Sequence, residues 1–133
     1  MAALLLDTHA WAWTLTDSPR LSVRAREALG ATEAVHVSPI SFFEIAQKVR
    51  LGKWPEMDDV VDELPALLSE QGGSIAGLTP GIAVTAGTLD WAHRDPFDRL
   101  LAATSLESGI ALLSADTVFD RLDGRKGWRS RIW

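Results

Sequence analysis

Short apolar runs alternate along this chain with longer segments that carry the start and stop signals of helices. The apolar runs lack a helical period, which is typical of buried strands, and they predict strands at residues 2–6, 35–37, 74–78 and 110–113. Most segments between them begin at a capping residue or a proline and end at glycine. These segments predict helices at residues 22–29, 39–51, 57–71, 79–89 and 95–108, with short helices from residues 8 and 116. The alternation favours a parallel sheet covered by helices on both faces.

Length and composition are those of one globular domain, and we expect residues 1–133 to form it. The chain is 47% hydrophobic and 23% charged, which is enough apolar material for a core. It has no cysteine, which excludes disulfides, thiolate zinc sites and cysteine nucleophiles. No apolar stretch approaches the roughly 20 residues that span a bilayer. Because the N-terminus also lacks the basic region of a signal peptide, we expect a cytoplasmic protein without membrane contact.

The net charge of −5 argues against broad, sequence-independent nucleic-acid binding, which usually needs a basic surface. The distribution of charge modifies that conclusion. Residues 120–133 carry five cations and two anions, whereas negative charge is concentrated at residues 56–70 and at a set of isolated acids. Since bound divalent ions would neutralise those acids, the overall sign does not decide the class of ligand.

Four acidic residues stand where the ligand site of a parallel sheet would need them. Asp7 directly follows the first predicted strand, and Asp116 lies just beyond the fourth. Ligands of open α/β sheets collect beyond the carboxyl ends of the strands. Glu44 and Asp98 lie in apolar helical segments, where a charged side chain is rarely buried unless it is paired or binds a metal. The four positions together predict one acidic site.

Each acid also has a structural alternative. Asp7 and Asp116 could simply cap helices, and Asp95, which precedes a proline, is best explained as a cap. Glu44 could form an exposed pair with Lys48, worth only about 0.3–0.5 kcal/mol. Carboxylates gathered in one place would nevertheless repel one another without a cation, and oxygen ligands favour Mg²⁺ or Mn²⁺. Such sites often hold two ions about 3.5–4 Å apart and serve phosphodiester cleavage.

Other residue types give weaker indications of a catalytic or binding site. There is no glycine-rich phosphate loop, no nucleophile elbow and no histidine pair at metal-binding spacing. The three histidines are scattered, and we expect structural or surface roles for His9, His36 and His93. The six tryptophans are expected to serve packing or subunit contacts, although base stacking is conceivable for some of them.

Four stretches of the sequence resemble one known family. They are Leu-Leu-Asp-Thr-His at 5–9, Ser-Pro-Ile-Ser-Phe-Phe-Glu-Ile-Ala at 38–46, His-Arg-Asp-Pro-Phe-Asp-Arg-Leu-Leu-Ala-Ala at 93–103, and Leu-Ser-Ala-Asp at 113–116. Together they resemble the PIN-domain ribonucleases, specifically the VapC-type toxins of bacterial toxin–antitoxin pairs. The third stretch is the most specific of the four. The resemblance extends nearly from one end of the chain to the other.

The resemblance implies a three-layer α/β/α fold with a central, mainly parallel sheet, and cleavage of RNA with Mg²⁺ or Mn²⁺. It also implies a homodimer and a cognate antitoxin whose tail occupies the active-site groove. The acids that it assigns to metal binding and catalysis are Asp7, Glu44, Asp98 and Asp116. Thr8 and Ser114 occupy supporting hydroxyl positions, and Ser114 stands where the family commonly has threonine.

Within this scheme the first three acids would hold one ion, directly or through water. Asp116 would hold the first or a second ion, or position the attacking water. We expect Arg99, Arg125 and Lys126 as candidates for holding RNA phosphates, although Arg99 could instead pair with an acid elsewhere in the fold.

Two other functional classes remain open at this point. An aspartate-nucleophile phosphatase would need a second aspartate at position 9, which is His9 here. A phospho-receiver domain would need an acidic pair after the first strand and a lysine after the last, and neither is evident. The other class is a binding module of the same fold whose acidic site is degenerate. Such a module would melt at a temperature that divalent ions leave unchanged.

Overall fold

A computed structural model describes residues 3–133 of the chain. Within them, four parallel strands form one sheet in the order β3-β2-β1-β4, and their bounds are β1 (Ala3–Leu6), β2 (Ala34–Val37), β3 (Ser74–Ile75) and β4 (Ala111–Leu113). The prediction of a parallel sheet is thus confirmed. Ala2, the predicted first residue of β1, lies outside the described residues.

Six α-helices surround the sheet in the described part of the chain, and their bounds are α1 (Thr8–Leu15), α2 (Val23–Ala31), α3 (Pro39–Arg50), α4 (Leu64–Glu70), α5 (Pro80–Thr88) and α6 (Pro96–Ser108). Local signals explain most starts, because five helices have a Ser, Thr or Asp cap that accepts a backbone N–H bond. The end of α6 is fixed by Gly109, whose φ of +68° suits a residue without a side chain. Among the described residues, no helix is both long and apolar enough to cross a membrane.

The sheet lies between two hydrophobic layers because side chains alternate along each strand. Leu4 and Leu6 of β1 belong to a core cluster that includes Trp11 of α1. Leu5, between them, belongs to a second cluster on the opposite face, with Leu101 of α6. All five side chains are at most 1% exposed. Burying a large apolar side chain contributes about 1.5–3 kcal/mol, so β1 anchors both layers of an α/β/α arrangement.

Three predictions about secondary structure are wrong in detail. The predicted helix at 57–71 is broken: short 3₁₀ turns at Pro55–Met57 and Val61–Glu63 precede α4. Pro65 explains the break, since proline lacks an N–H donor and fits only the first turn of a helix. The predicted strand at 74–78 is limited to β3, and α2 continues through Gly30 instead of stopping before it.

The order of the strands determines where a site can form. Starting from β1, the chain adds β2 and then β3 on one side of β1, and later returns to place β4 on the other side. The connections therefore diverge between β1 and β4, and a crevice opens beyond the carboxyl ends of these two strands. The C-terminal segment extends this edge, because Ile132 forms an isolated parallel bridge with Leu113.

Candidate active site

The four predicted acids line one pocket at the carboxyl edge of the sheet. The pocket has a volume of about 300 Å³, and its acidic lining residues are Asp7, Glu44, Asp95, Asp98 and Asp116. They come from separate parts of the chain: the end of β1, the middle of α3, the start of α6 and the segment after β4. The fold thus brings together all four acids that the sequence singled out and adds Asp95 to them. We call this space the acidic pocket.

Asp7 is a buried acid, with only 8% of its surface exposed. Its Oδ1 accepts a hydrogen bond of 2.8 Å from the backbone N–H of Ala10, which caps α1. Burial raises the pKa of Asp7 to about 6, and the negative charges of Asp98 and Glu44 add to that rise, while hydrogen bonds from Ser114 and Ala10 oppose it. The capping alternative is confirmed, and the same carboxylate also faces the acidic pocket.

Ser114 links the ends of β1 and β4. Its hydroxyl donates a 2.5 Å hydrogen bond to Oδ2 of Asp7 and accepts one of 3.0 Å from the backbone N–H of Asp116. Asp116 in turn caps the following 3₁₀ turn, because its Oδ1 accepts from the backbone N–H of Val118 at 3.0 Å. One buried hydroxyl therefore fixes the positions of two acids that are 109 residues apart in sequence.

Glu44 lies on the buried side of α3 and is only 8% exposed. Its Oε2 forms an ion pair of 2.7 Å with Nζ of Lys48, one turn further along the helix. The pair with Lys48 that the sequence offered as an alternative is present, but Glu44 is buried in it and not exposed. One turn earlier on α3, Ser41 accepts a 2.9 Å hydrogen bond from the hydroxyl of Thr8. This bond ties the start of α1 to the helix that carries Glu44.

Asp98 lies in the first turn of α6 and is half-buried. Its Oδ2 lies 2.7 Å from Nε2 of His93. Burial raises the pKa of Asp98 to about 6, and the negative charges of Asp95 and Asp116 act in the same direction, while His93 opposes them. Possible ligand atoms of His93, Asp95 and Asp98 all lie within 4.8 Å of one another. A cation near Asp98 would therefore have several donors within reach.

Arg99 contributes to the fold around the site and bonds backbone carbonyls. Its guanidinium donates to four of them, at distances of 2.5–2.9 Å, namely those of Ala86, Leu89, Trp91 and His93. These bonds take the place of the expected ion pair, because the last turn of α5 and the segment between α5 and α6 direct their carbonyls toward this one side chain. Arg99 thereby holds the segment that carries His93. Arg125 and Lys126 are exposed and outside the lining of the acidic pocket, and Arg125 donates to the carbonyl of Asp90.

The chemistry of the donor set fits a hard divalent cation. Carboxylate oxygens dominate the acidic pocket, and Mg²⁺ and Mn²⁺ prefer such ligands. In the protein alone, Asp7 and Asp98 resist ionisation because their pKa values rise to about 6. A bound cation would favour the ionised forms. Lys48 is the cationic side chain among the described residues that line this pocket, and it is already paired with Glu44.

Sequence reasoning missed three contributors to the site. Ser41 could have been noticed as a polar residue inside the apolar run at 40–46. Asp95 was assigned only a capping role, which is confirmed, but its carboxylate also lines the pocket. His93 was expected to be structural or at the surface, and no local pattern indicated its contact with Asp98, which depends on how the segment before α6 folds back.

Comparisons with known proteins agree with this architecture. The family model of the PIN domain matches residues 4–125. Ribonuclease VapC22 from Mycobacterium tuberculosis (strain ATCC 25618 / H37Rv) is 33% identical over 123 residues, which cover 87% of this chain and 88% of that protein.

Solved structures show the same fold at low sequence identity. A chain of VapBC-5, a member of the VapBC family of toxin–antitoxin systems from Mycobacterium tuberculosis, superposes with a TM-score of 0.68 at 18% identity and 98% coverage of both chains. A chain of FitAcB from Neisseria gonorrhoeae gives a TM-score of 0.64 at 19% identity and 96% coverage of both. The extent of the family match, the curated relative and the shared fold lead to one conclusion: this chain belongs to the PIN domain family.

Proposed function

We propose that this protein is a divalent-metal-dependent endoribonuclease and the toxin of a toxin–antitoxin pair. The observation that carries the proposal is the acidic pocket, where acids from four separate parts of the chain converge beyond β1 and β4. Membership of the PIN domain family and the similarity to Ribonuclease VapC22 support the same activity. The residues to which we assign metal binding and catalysis are Asp7, Glu44, Asp98 and Asp116.

Mg²⁺ or Mn²⁺ would be held by Asp7, Glu44 and Asp98, with Asp116 as a further ligand. When bound, such an ion lowers the pKa of a coordinated water and stabilises negative charge on the phosphate and the leaving oxygen. The protein supplies the arrangement of the ligands. Ser114 fixes one oxygen of Asp7 and favours its ionised form, while Lys48 holds Glu44 through the ion pair described above.

Asp116 differs from the other three acids because it is exposed. One of its oxygens caps the 3₁₀ turn, so the second is available to a water molecule or an ion. We assign to it the positioning of the water that attacks the phosphorus as the bond to the leaving ribose oxygen breaks. Thr8 supports the site indirectly, since its hydrogen bond to Ser41 sets the distance between α1 and α3.

The proposed partners are RNA, an antitoxin and a second copy of the chain. Similar structures include VapBC toxin–antitoxin systems, which supports an antitoxin partner. Large apolar side chains at the surface, among them Phe43 of α3 (55% exposed) and Val84 of α5 (65% exposed), offer material for a homodimer contact. Light scattering should give the mass of a dimer. Arg125 and Lys126 are proposed to hold phosphates at a distance from the acidic pocket.

The test is cleavage of a mixed RNA pool by the purified protein, with Mg²⁺, with Mn²⁺ and with EDTA. We expect cleavage in both metals, none in EDTA, and none by Asp98→Asn. The matched control is Glu33→Gln, which changes an exposed acid just before β2, at the opposite edge of the sheet, and should cleave like the wild type. Equal cleavage by Asp98→Asn and wild type would show that the nuclease is a contaminant or that the site is elsewhere.

A further inference from the structure

A second cleft opens directly beside the acidic pocket and is built from aromatic rings and cations. Its volume is about 560 Å³, which is within the range of ligand sites. We call it the aromatic cleft and define it by six of its lining residues: His9, Trp13, Arg20, Lys48, Lys53 and Trp54. His9, Trp13 and Lys48 also line the acidic pocket. The two spaces are therefore continuous.

The rings of the aromatic cleft support one another. His9 stacks on Trp54 with ring centroids 4.6 Å apart and an angle of 25° between the rings. The ring centroid of Trp13 lies 5.7 Å from that of His9 and 5.6 Å from that of Trp133. Trp54 is buried, whereas His9 is exposed and Trp13 is half-buried. An exposed ring packed against one buried ring and one half-buried ring provides a rigid surface on which a nucleobase can stack.

The charge of the aromatic cleft is opposite to that of the acidic pocket. Arg20 lies over the ring of Trp13 at 5.9 Å, and Lys48 over the ring of Trp54 at 5.5 Å. Glu56 is the single acid among the described residues that line this cleft. Within residues 3–133, neither Arg20 nor Lys53 has a carboxylate within ion-pair distance. Two cations beside the rings are thus available to an anionic ligand.

We propose that the aromatic cleft binds the single-stranded RNA segment next to the scissile phosphate. A base would stack on His9 and Trp13, and the neighbouring phosphates would lie against Arg20 and Lys53. The inference rests on the proposed ribonuclease function and adds the residues that hold the substrate beside the acidic pocket; stacking on them requires an unpaired strand, because paired bases do not expose their faces. It also explains how a chain of net charge −5 attracts a polyanion to an acidic site.

A protein tail is the competing occupant of the aromatic cleft. The lining comes from α1, from the end of α3 and from turns around Arg20 and Trp54. None of these is a strand edge to which an extended peptide adds by backbone hydrogen bonds. Rings interleaved with unpaired cations instead match the alternation of bases and phosphates along a single strand. The observations therefore favour RNA over a peptide.

The experiment is fluorescence anisotropy in EDTA, with a labelled oligouridylate of about 12 nucleotides and an abasic oligomer of the same length. His9→Ala should weaken binding of the oligouridylate between about fivefold and about a hundredfold and leave binding of the abasic oligomer unchanged. His9→Phe, which keeps a ring, should restore affinity. Both variants are expected to fold because His9 is exposed.

The phosphate contacts are tested by removing charge. The double variant Arg20→Ala, Lys53→Ala should weaken binding of both oligomers and reduce the slope of log K against log salt by about 1.4. The control Arg24→Ala removes a charge from the exposed side of α2, outside the aromatic cleft, and should leave the slope unchanged.

Two results would overturn the proposal. The first is wild-type affinity for the oligouridylate in both His9→Ala and the double variant. If His9→Ala and the double variant still cleave RNA and Asp98→Asn does not, the ribonuclease function stands. The aromatic cleft then serves a protein partner or no ligand. The second is a wild type that neither binds the oligouridylate nor cleaves the RNA pool, which would remove the proposed function together with the inference.

Discussion

Replacing Asp7 with asparagine should stabilise the metal-free protein at neutral pH while removing its function. The carboxyl is buried and lies near the negative charges of Asp98 and Glu44, and its pKa is raised to about 6. Asparagine has the same shape and is an equally good helix cap, but it carries no charge. The substitution therefore removes the cost of ionising a buried group and keeps the local structure.

The magnitude follows from the two pKa values of Asp7. The carboxyl titrates near 3.8 in the unfolded chain and near 6 in the folded one. Between these values the folded state binds more protons, so the contribution of Asp7 to stability is lost as pH rises through this window. A difference of about 2 pH units corresponds to about 3 kcal/mol. The advantage of Asp7→Asn should grow from about 1 kcal/mol at pH 4.5 to about 3 kcal/mol at pH 7.5.

Urea unfolding in EDTA, followed by tryptophan fluorescence at both pH values, measures this difference. Glu33→Gln serves as the control and should match the wild type at each pH. Addition of Mg²⁺ should then stabilise the wild type by about 2.7 kcal/mol at 100 times its Kd and leave Asp7→Asn almost unaffected. A variant that is no more stable than the wild type at pH 7.5, or whose advantage does not grow with pH, would refute the reasoning.

Substitutions at four further positions have defined outcomes. Ser114→Ala removes the bond that lowers the pKa of Asp7, so Mn²⁺ binding followed by electron paramagnetic resonance should need a pH about 1 unit higher, whereas Ser114→Thr should not. Arg99→Lys loses most of the four carbonyl bonds and should lower the free energy of unfolding in urea by about 2 kcal/mol. Gly109→Ala, at a φ of +68°, should cost about 1 kcal/mol, whereas Gly87→Ala in open space on α5 should stabilise by about 0.5 kcal/mol.

Local signals were sufficient to predict the elements that depend on neighbouring residues. Asp7 and Asp95 were identified as caps because a cap bonds an N–H two or three residues away. The parallel sheet followed from the alternation of strands and helices, and the position of Asp7 and Asp116 followed from the rule for strand ends. These inferences need no knowledge of distant contacts.

Features that depend on long-range contacts could not be predicted. The hydrogen bond between Thr8 and Ser41 joins residues 33 apart, and either hydroxyl could equally have faced solvent. The bridge of Ile132 to β4 leaves no periodic pattern in the sequence, because a single residue of the C-terminal segment takes part in it.

The break in the predicted helix at 57–71 has a local cause. The helical pattern was present there, but Pro65 outweighed it, since a proline removes a donor whatever the apolar spacing is.

The central claim is that acids from four separate parts of the chain form one metal site. Its most direct test is Mn²⁺ binding without RNA, measured by electron paramagnetic resonance of the free ion, for the wild type, for Glu33→Gln and for single amide substitutions of Asp7, Glu44, Asp98 and Asp116. The account predicts that Mn²⁺ binds the wild type and the control equally and that each site substitution weakens binding at least tenfold, about 1.4 kcal/mol. Unchanged Mn²⁺ affinity in the site variants would contradict it.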